Sequence, residues 1–136
     1  FLAQKISNKP LTIVGNGKQT RDFLHVNDLV KAIFLASKKL KSGTILNLGG
    51  GKEVSVNKIA NLISNKKVYI PKRPGEPDRS LANINLAKKL LNWKPKVSLE
   101  KGVKNLLENI NQFKKAPVWT PNKIKKETRI WFKYLK

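Results

Sequence analysis

The sequence has no cysteine, no methionine and a single histidine in 136 residues. Without cysteine there is no disulfide framework and no thiolate metal site. One histidine, His25, is too few for a histidine-built zinc centre. No apolar run approaches the length of about 18 residues that a membrane-spanning helix needs, so no membrane partner is expected. The start carries no signal-peptide pattern, and a cytoplasmic location is expected. The chain opens on Phe1-Leu2-Ala3-Gln4-Lys5-Ile6, which already reads as helix, and we take it as a C-terminal fragment of a longer protein.

Acidic residues are scarce: eight against 29 basic ones, for a formal charge of +21. Only four of the basic residues are arginine, and the lysines spread through every segment. Lysine, asparagine and isoleucine share AT-rich codons, so biased composition accounts for much of the charge. Net charge of this kind governs non-specific association rather than fold. A small basic nucleic-acid-binding module is the alternative of another class. It requires lysines gathered on one face with aromatics between them. Here the aromatics fall mostly on apolar faces, so no specific nucleic acid is expected. A third reading is a structural piece whose apolar strands need a partner surface.

At this length the chain can bury one real core. Leu11 to Val14 reads as a strand, and Phe23 to Val26 as another. Asn27 is the expected cap of a helix with Leu29, Val30, Ile33, Phe34 and Leu40 on its apolar side. Thr44 to Leu48 reads as a strand closed by Gly49-Gly50-Gly51. Ser55 caps a helix with Val56, Ile59, Ala60 and Ile63 inside, and Val68 to Ile70 is a short strand. Asn85 to Leu91 is a short helix, and Ser98 caps a longer one carrying Leu99, Val103, Leu106, Leu107, Ile110 and Phe113. Thr120-Pro121 starts a last helix bearing Ile124, Trp131 and Leu135. Short strands alternating with helices make the class α/β.

Two glycine turns precede lysines, Gly15-Asn16-Gly17-Lys18 and Gly49-Gly50-Gly51-Lys52. Neither is a P-loop, because Gln19 and Glu53 stand where that motif needs Ser or Thr. No G-x-G-x-x-G dinucleotide fingerprint occurs either. Asp22, Asp28 and Glu76 form no evident acid/base pair. His25 has no triad partner in reach of spacing and reads as structural, and Trp93 reads as a packing anchor.

Three segments carry a resemblance. Gly15, Gly17, Gln19, Arg21, Asp22, Phe23, Val26 and Asp28 fit the pattern G-x-G-x-Q-x-R-D-F-x-x-V-x-D. Asn47, Gly49, Gly51 and Ser55 fit N-x-G-x-G-x-x-x-S. Arg73-Pro74-Gly75-Glu76, with Ser80 and Ala82 beyond, is similar to R-P-G-[ED]-x-x-x-S-x-A-D, except that Asn83 replaces the aspartate. A helix ending in Leu91-Asn92-Trp93-Lys94-Pro95 follows, similar to L-G-W-x-P. Together these resemble the extended short-chain dehydrogenase/reductase family, the NAD-dependent epimerases, dehydratases and decarboxylases of nucleoside-diphosphate sugars.

The resemblance covers roughly residues 1 to 113 and implies a sugar-nucleotide-binding C-terminal region over 1–115, with a helical extension over 116–136. It implies Arg21 and Arg73 as a diphosphate clamp, Glu76 at the nucleotide ribose, and Gln19 and Phe23 as weaker ligand contacts. Guanidinium groups suit that task, because their fork matches pyrophosphate oxygens bidentately. Arg79, in the same loop, is an alternative contact. The family's catalytic Tyr-x-x-x-Lys pair is not found: Tyr69 is followed four positions later by Arg73, and Tyr134 lies too near the end. So no catalytic and no NAD-binding residue is expected in this chain. A Rossmann domain outside it would supply both, and the parent would be a homodimer. UDP-glucose 4-epimerase-like chemistry on a UDP-sugar is the first expectation, with dehydration or decarboxylation as alternatives.

Overall fold

The structure, a computed structural model, describes residues 1–135. Its strands form two small ladders, one nested inside the other along the chain. Strand β1 (Leu11–Val14) runs parallel to β4 (Lys67–Ile70), with Leu11 opposite Lys67 and Val14 opposite Ile70. Between them, β2 (Thr20–Asp22) pairs antiparallel with β3 (Glu53–Ser55), placing Arg21 opposite Val54. Among the described residues seven α-helices accompany them: α1 (Leu2–Ile6), α2 (Val26–Lys39), α3 (Val56–Ile63), α4 (Asn85–Leu91), α5 (Leu99–Glu108), α6 (Pro121–Glu127) and α7 (Arg129–Tyr134). The mixed α/β class stands.

Two apolar cores form. The first gathers Leu11 and Ile13 of β1, Ala60 and Ile63 of α3 and Val103 of α5. The second gathers Ala32 of α2, Ala87 and Leu91 of α4, Ile84 and Trp93. Trp93 is the anchor its position suggests, and its indole Nε1 donates to the Asp28 carbonyl at 3.1 Å. The Asp28 side chain extends the same link, accepting from the backbone N–H of Lys96 (2.9 Å) and Val97 (2.8 Å). A buried network ties the first turns together: Gln4 donates to Thr12 Oγ1 and to the Trp119 carbonyl, and accepts from the Thr12 N–H.

Ser55, Ser98 and Thr120 cap α3, α5 and α6 as their sequence signals indicate. Five expectations are corrected. The strand expected at Phe23 to Val26 lies instead at Thr20–Asp22, the stretch that finds a ladder partner in β3. Helix α2 is capped by His25, not Asn27: imidazole Nδ1 accepts from the Asn27 N–H at 3.2 Å. Its inward stripe holds Asp28, Ala32, Leu35 and Ala36, while Val30, Ile33 and Phe34 are more than half exposed. That helix is apolar on two sides, so periodicity alone could not choose which side turns inward.

Thr44 to Leu48 has the alternation of a strand, with Leu46 and Leu48 on the second core and Ile45 at 85% exposure. It pairs with no strand among the described residues. The last helix is two, because the Thr128 hydroxyl donates to the Ile124 carbonyl at 2.7 Å and the chain bends there.

Candidate functional site

Strands β1 and β4 both point their carboxyl ends at one cavity of about 200 Å³. In open α/β sheets the crevice beyond the carboxyl ends of parallel strands is where ligands bind. Val14, Gly15 and Asn16 line it from β1, Gln19 and Arg21 from β2 and the turn before it, and Lys72, Glu76, Pro77 and Asp78 from the loop after β4. Gly15 and Gly17 hold φ of +64° and +71°, which lets the chain double back here at no Cβ penalty. Asn57 closes that turn from α3, its N–H donating to the Gly17 carbonyl and its amide to the Asn16 carbonyl.

The charges in the wall are sorted. Lys72 pairs with Asp78 at 2.5 Å, and Glu76 with Arg73 at 2.6 Å. Arg21 has no carboxylate partner among the described residues; its Nη1 donates to the Thr20 carbonyl at 2.7 Å. The other four of its five N–H donors make no hydrogen bond among the described residues. Gln19 steadies the opposite wall by donating from Nε2 to the Val14 carbonyl at 2.8 Å.

Gln19, Arg21 and Glu76 are thus brought together. Arg73 stands behind Glu76, outside the lining, with its guanidinium over the Trp131 ring at 5.3 Å. Phe23 faces other recesses, beside His25, Val97 and Leu99. Arg79 is tied to β3, where Glu53 accepts from its Nε (3.0 Å) and Nη2 (2.5 Å) as well as from the Thr20 hydroxyl (2.9 Å). Those donors, Arg79 first and then Thr20, hold the Glu53 carboxyl below its ordinary value, and the same pair raises Arg79.

Asp22 belongs to the family pattern, but its packing role does not show in the sequence. Its Oδ2 accepts from the Ala82 N–H at 3.1 Å, and a Cβ at Gly49 would collide with the same carboxylate. A Cβ at Gly50 would collide with the Phe23 carbonyl. Glycine is needed there for close backbone approach, a signal visible only as the tripled glycine. The same packing tests the turns as NAD sites. Space beside Gly49 and Gly50 is already filled by Asp22 and Phe23, and the Gly15–Gly17 turn leads into strand β2 rather than a helix N-terminus. These residues do not fit a dinucleotide pyrophosphate.

A cavity at parallel strand ends, with an arginine that has no carboxylate partner among the described residues in its wall, is the candidate site of this α/β scaffold. A family model described as GDP-mannose 4,6 dehydratase matches residues 2–106. UDP-glucuronate 4-epimerase of Thermodesulfobacterium geofontis is 35% identical over 129 residues, 87% of this chain and 40% of the relative. The crystal structure of UDP-glucuronic acid 4-epimerase from Bacillus cereus, in complex with UDP-glucuronic acid and NAD, has a TM-score of 0.75 at 33% identity. It covers 82% of this chain and 38% of that one. The dTDP-glucose 4,6-dehydratase of Bacillus anthracis, in complex with NAD, has a TM-score of 0.70 at 25% identity and covers 99% of this chain and 40% of that one. The chain belongs to the extended short-chain dehydrogenase/reductase family and corresponds to the C-terminal part of these enzymes. It spans about two-fifths of the length of the epimerase relatives it matches.

Proposed function

We propose that this chain is the nucleotide-sugar-binding part of an NAD-dependent epimerase acting on a UDP-sugar. The observation that carries the reading is Arg21, a guanidinium without a carboxylate partner among the described residues, set in the wall of the strand-end cavity. A diphosphate brings two negative charges, which that fork can take bidentately. Glu76 is an acceptor in the same wall and suits a ribose hydroxyl. Arg73, one layer back, closes the other side of the clamp by exchanging Glu76 for a phosphate oxygen. Binding energy collected at the diphosphate then fixes the sugar for chemistry elsewhere. NAD belongs to a part of the enzyme outside this chain. The uncovered side of α2 and the unpaired Thr44 to Leu48 stretch support a larger enzyme around these residues. Dehydration is the second reading, favoured by the family model's description and by the dehydratase likeness along nearly the whole chain.

The test is calorimetric titration with UDP at modest salt. Arg21→Ala should weaken binding by about 1.5–3 kcal/mol, the range for hydrogen bonds to charged groups. Unchanged affinity in that variant would sink the site assignment. A basic nucleic-acid module would behave otherwise: polyanion binding would fade steeply with salt, and UDP would not compete.

A further inference from the structure

We propose that Trp131 is a positioning residue for nucleotide binding, holding the Arg73–Glu76 turn in place from helix α7. The inference rests on the reading of the cavity as a diphosphate site. The turn sits in a loop with prolines at 71, 74 and 77, which have no N–H to give. The loop is anchored before its start by Gly15 N–H to the Ile70 carbonyl, and near its end by Thr20 N–H to the Asp78 carbonyl. Between those anchors, among the described residues, its one hydrogen bond to the rest of the chain is from Trp131: indole Nε1 donates to the Pro74 carbonyl at 2.8 Å. The face of the same ring lies on the Arg73 guanidinium, 5.3 Å from its carbon to the ring centre.

One side chain therefore fixes both the backbone of the turn and the arginine within it. Through the 2.6 Å Arg73–Glu76 pair the constraint reaches a residue of the cavity wall. Freeing the turn would multiply the conformations of Arg73 and Glu76, and ordering them again would fall on ligand binding. The sequence alone places Trp131 some fifty positions beyond the loop, in a helix with no ligand motif. Nothing in its spacing points to this contact.

The experiment is UDP titration of the full chain and its Trp131→Ala, Trp131→Phe, Arg73→Ala, Arg21→Ala and Trp131→Ala/Arg73→Ala variants, with urea unfolding of each. Trp131→Ala is expected to weaken UDP binding roughly five- to tenfold, with the unfolding midpoint of the body unchanged. Trp131→Phe keeps the ring face and loses the N–H, and should weaken binding about two- to threefold. In the Arg73→Ala background, Trp131→Ala should cost clearly less than it does in wild type, because part of its effect runs through that arginine. Wild-type affinity in Trp131→Ala, or effects that simply add, would overturn the proposal. Should Trp131→Ala fail to fold, Trp131→Phe decides alone: wild-type affinity refutes positioning by the indole N–H. Arg21→Ala separates the two readings. If it weakens UDP binding while the Trp131 variants do not, only the positioning role falls; if neither does, or wild type does not bind UDP, the site itself falls.

Discussion

Glu53 carries three hydrogen bonds on one carboxylate, two from Arg79 and one from Thr20, and they favour its charged form. Its pKa in the folded chain therefore lies below the ordinary 4.5. A depressed carboxyl contributes stability that is present above its unfolded pKa and is lost as pH falls through its folded one. Glu100, beside Lys58, is lowered too, so the acid limb of stability has more than one source. Comparing Glu53→Gln with wild type isolates Glu53. The gap in urea midpoint should be widest at neutral pH and close as pH drops below 4.5; a gap independent of pH would refute the pair's role. At this scale a family pattern picks out Gln19, Arg21 and Glu76, and the fold sets the three round one cavity. The sequence does not show the contacts of Gln4 or Asp22, whose partners, Trp119 and Ala82, come together only in the folded chain.

Among the elements, helix α2 is tied through Asp28 to the segment leading into α5. That carboxylate satisfies two backbone N–H groups of the segment leading into α5, and its own carbonyl takes the Trp93 indole. Asp28→Ala leaves the N–H groups of Lys96 and Val97 without their acceptor and should cost about 1–3 kcal/mol, read by urea unfolding. A loss within experimental error would mean that water replaces the carboxylate. Helix starts were legible where Ser or Thr caps them, as at Ser55, Ser98 and Thr120. The start of α2 was not, because an imidazole Nδ1 serves as the cap and histidine has no strong preference for that place. The break at Thr128 was hidden for a related reason: its hydroxyl competes for a carbonyl inside a pattern that otherwise continues as helix.

For the whole molecule, the chemistry expected of the family and the residues present do not meet in this chain. Arg73, not lysine, stands four positions after Tyr69, and the glycine turns are packed against protein. The purified chain, given NAD and a UDP-sugar, is expected to show no turnover. Measurable epimerisation, followed by separation of the sugar products, would contradict that expectation. The overall class was readable from alternating short strands and helices. The outer stripe of α2 and the unpaired Thr44 to Leu48 stretch carry the patterns of buried elements, so periodicity alone gives them as a core helix face and a strand.

The nesting of the two ladders bears on the order in which the chain can fold. Leu11 cannot meet Lys67 until everything between them has been drawn into a loop, and closing long loops slows folding. The β2–β3 pair and helix α3 lie inside that loop, and the cavity opens where the outer pair ends. Its walls come from Val14 on one outer strand, Arg21 on the inner ladder and the loop after the other outer strand. Such a pocket is complete only when both ladders are formed. A ligand held there would recognise the finished fold and act as a brake on its opening, with no part in guiding its assembly.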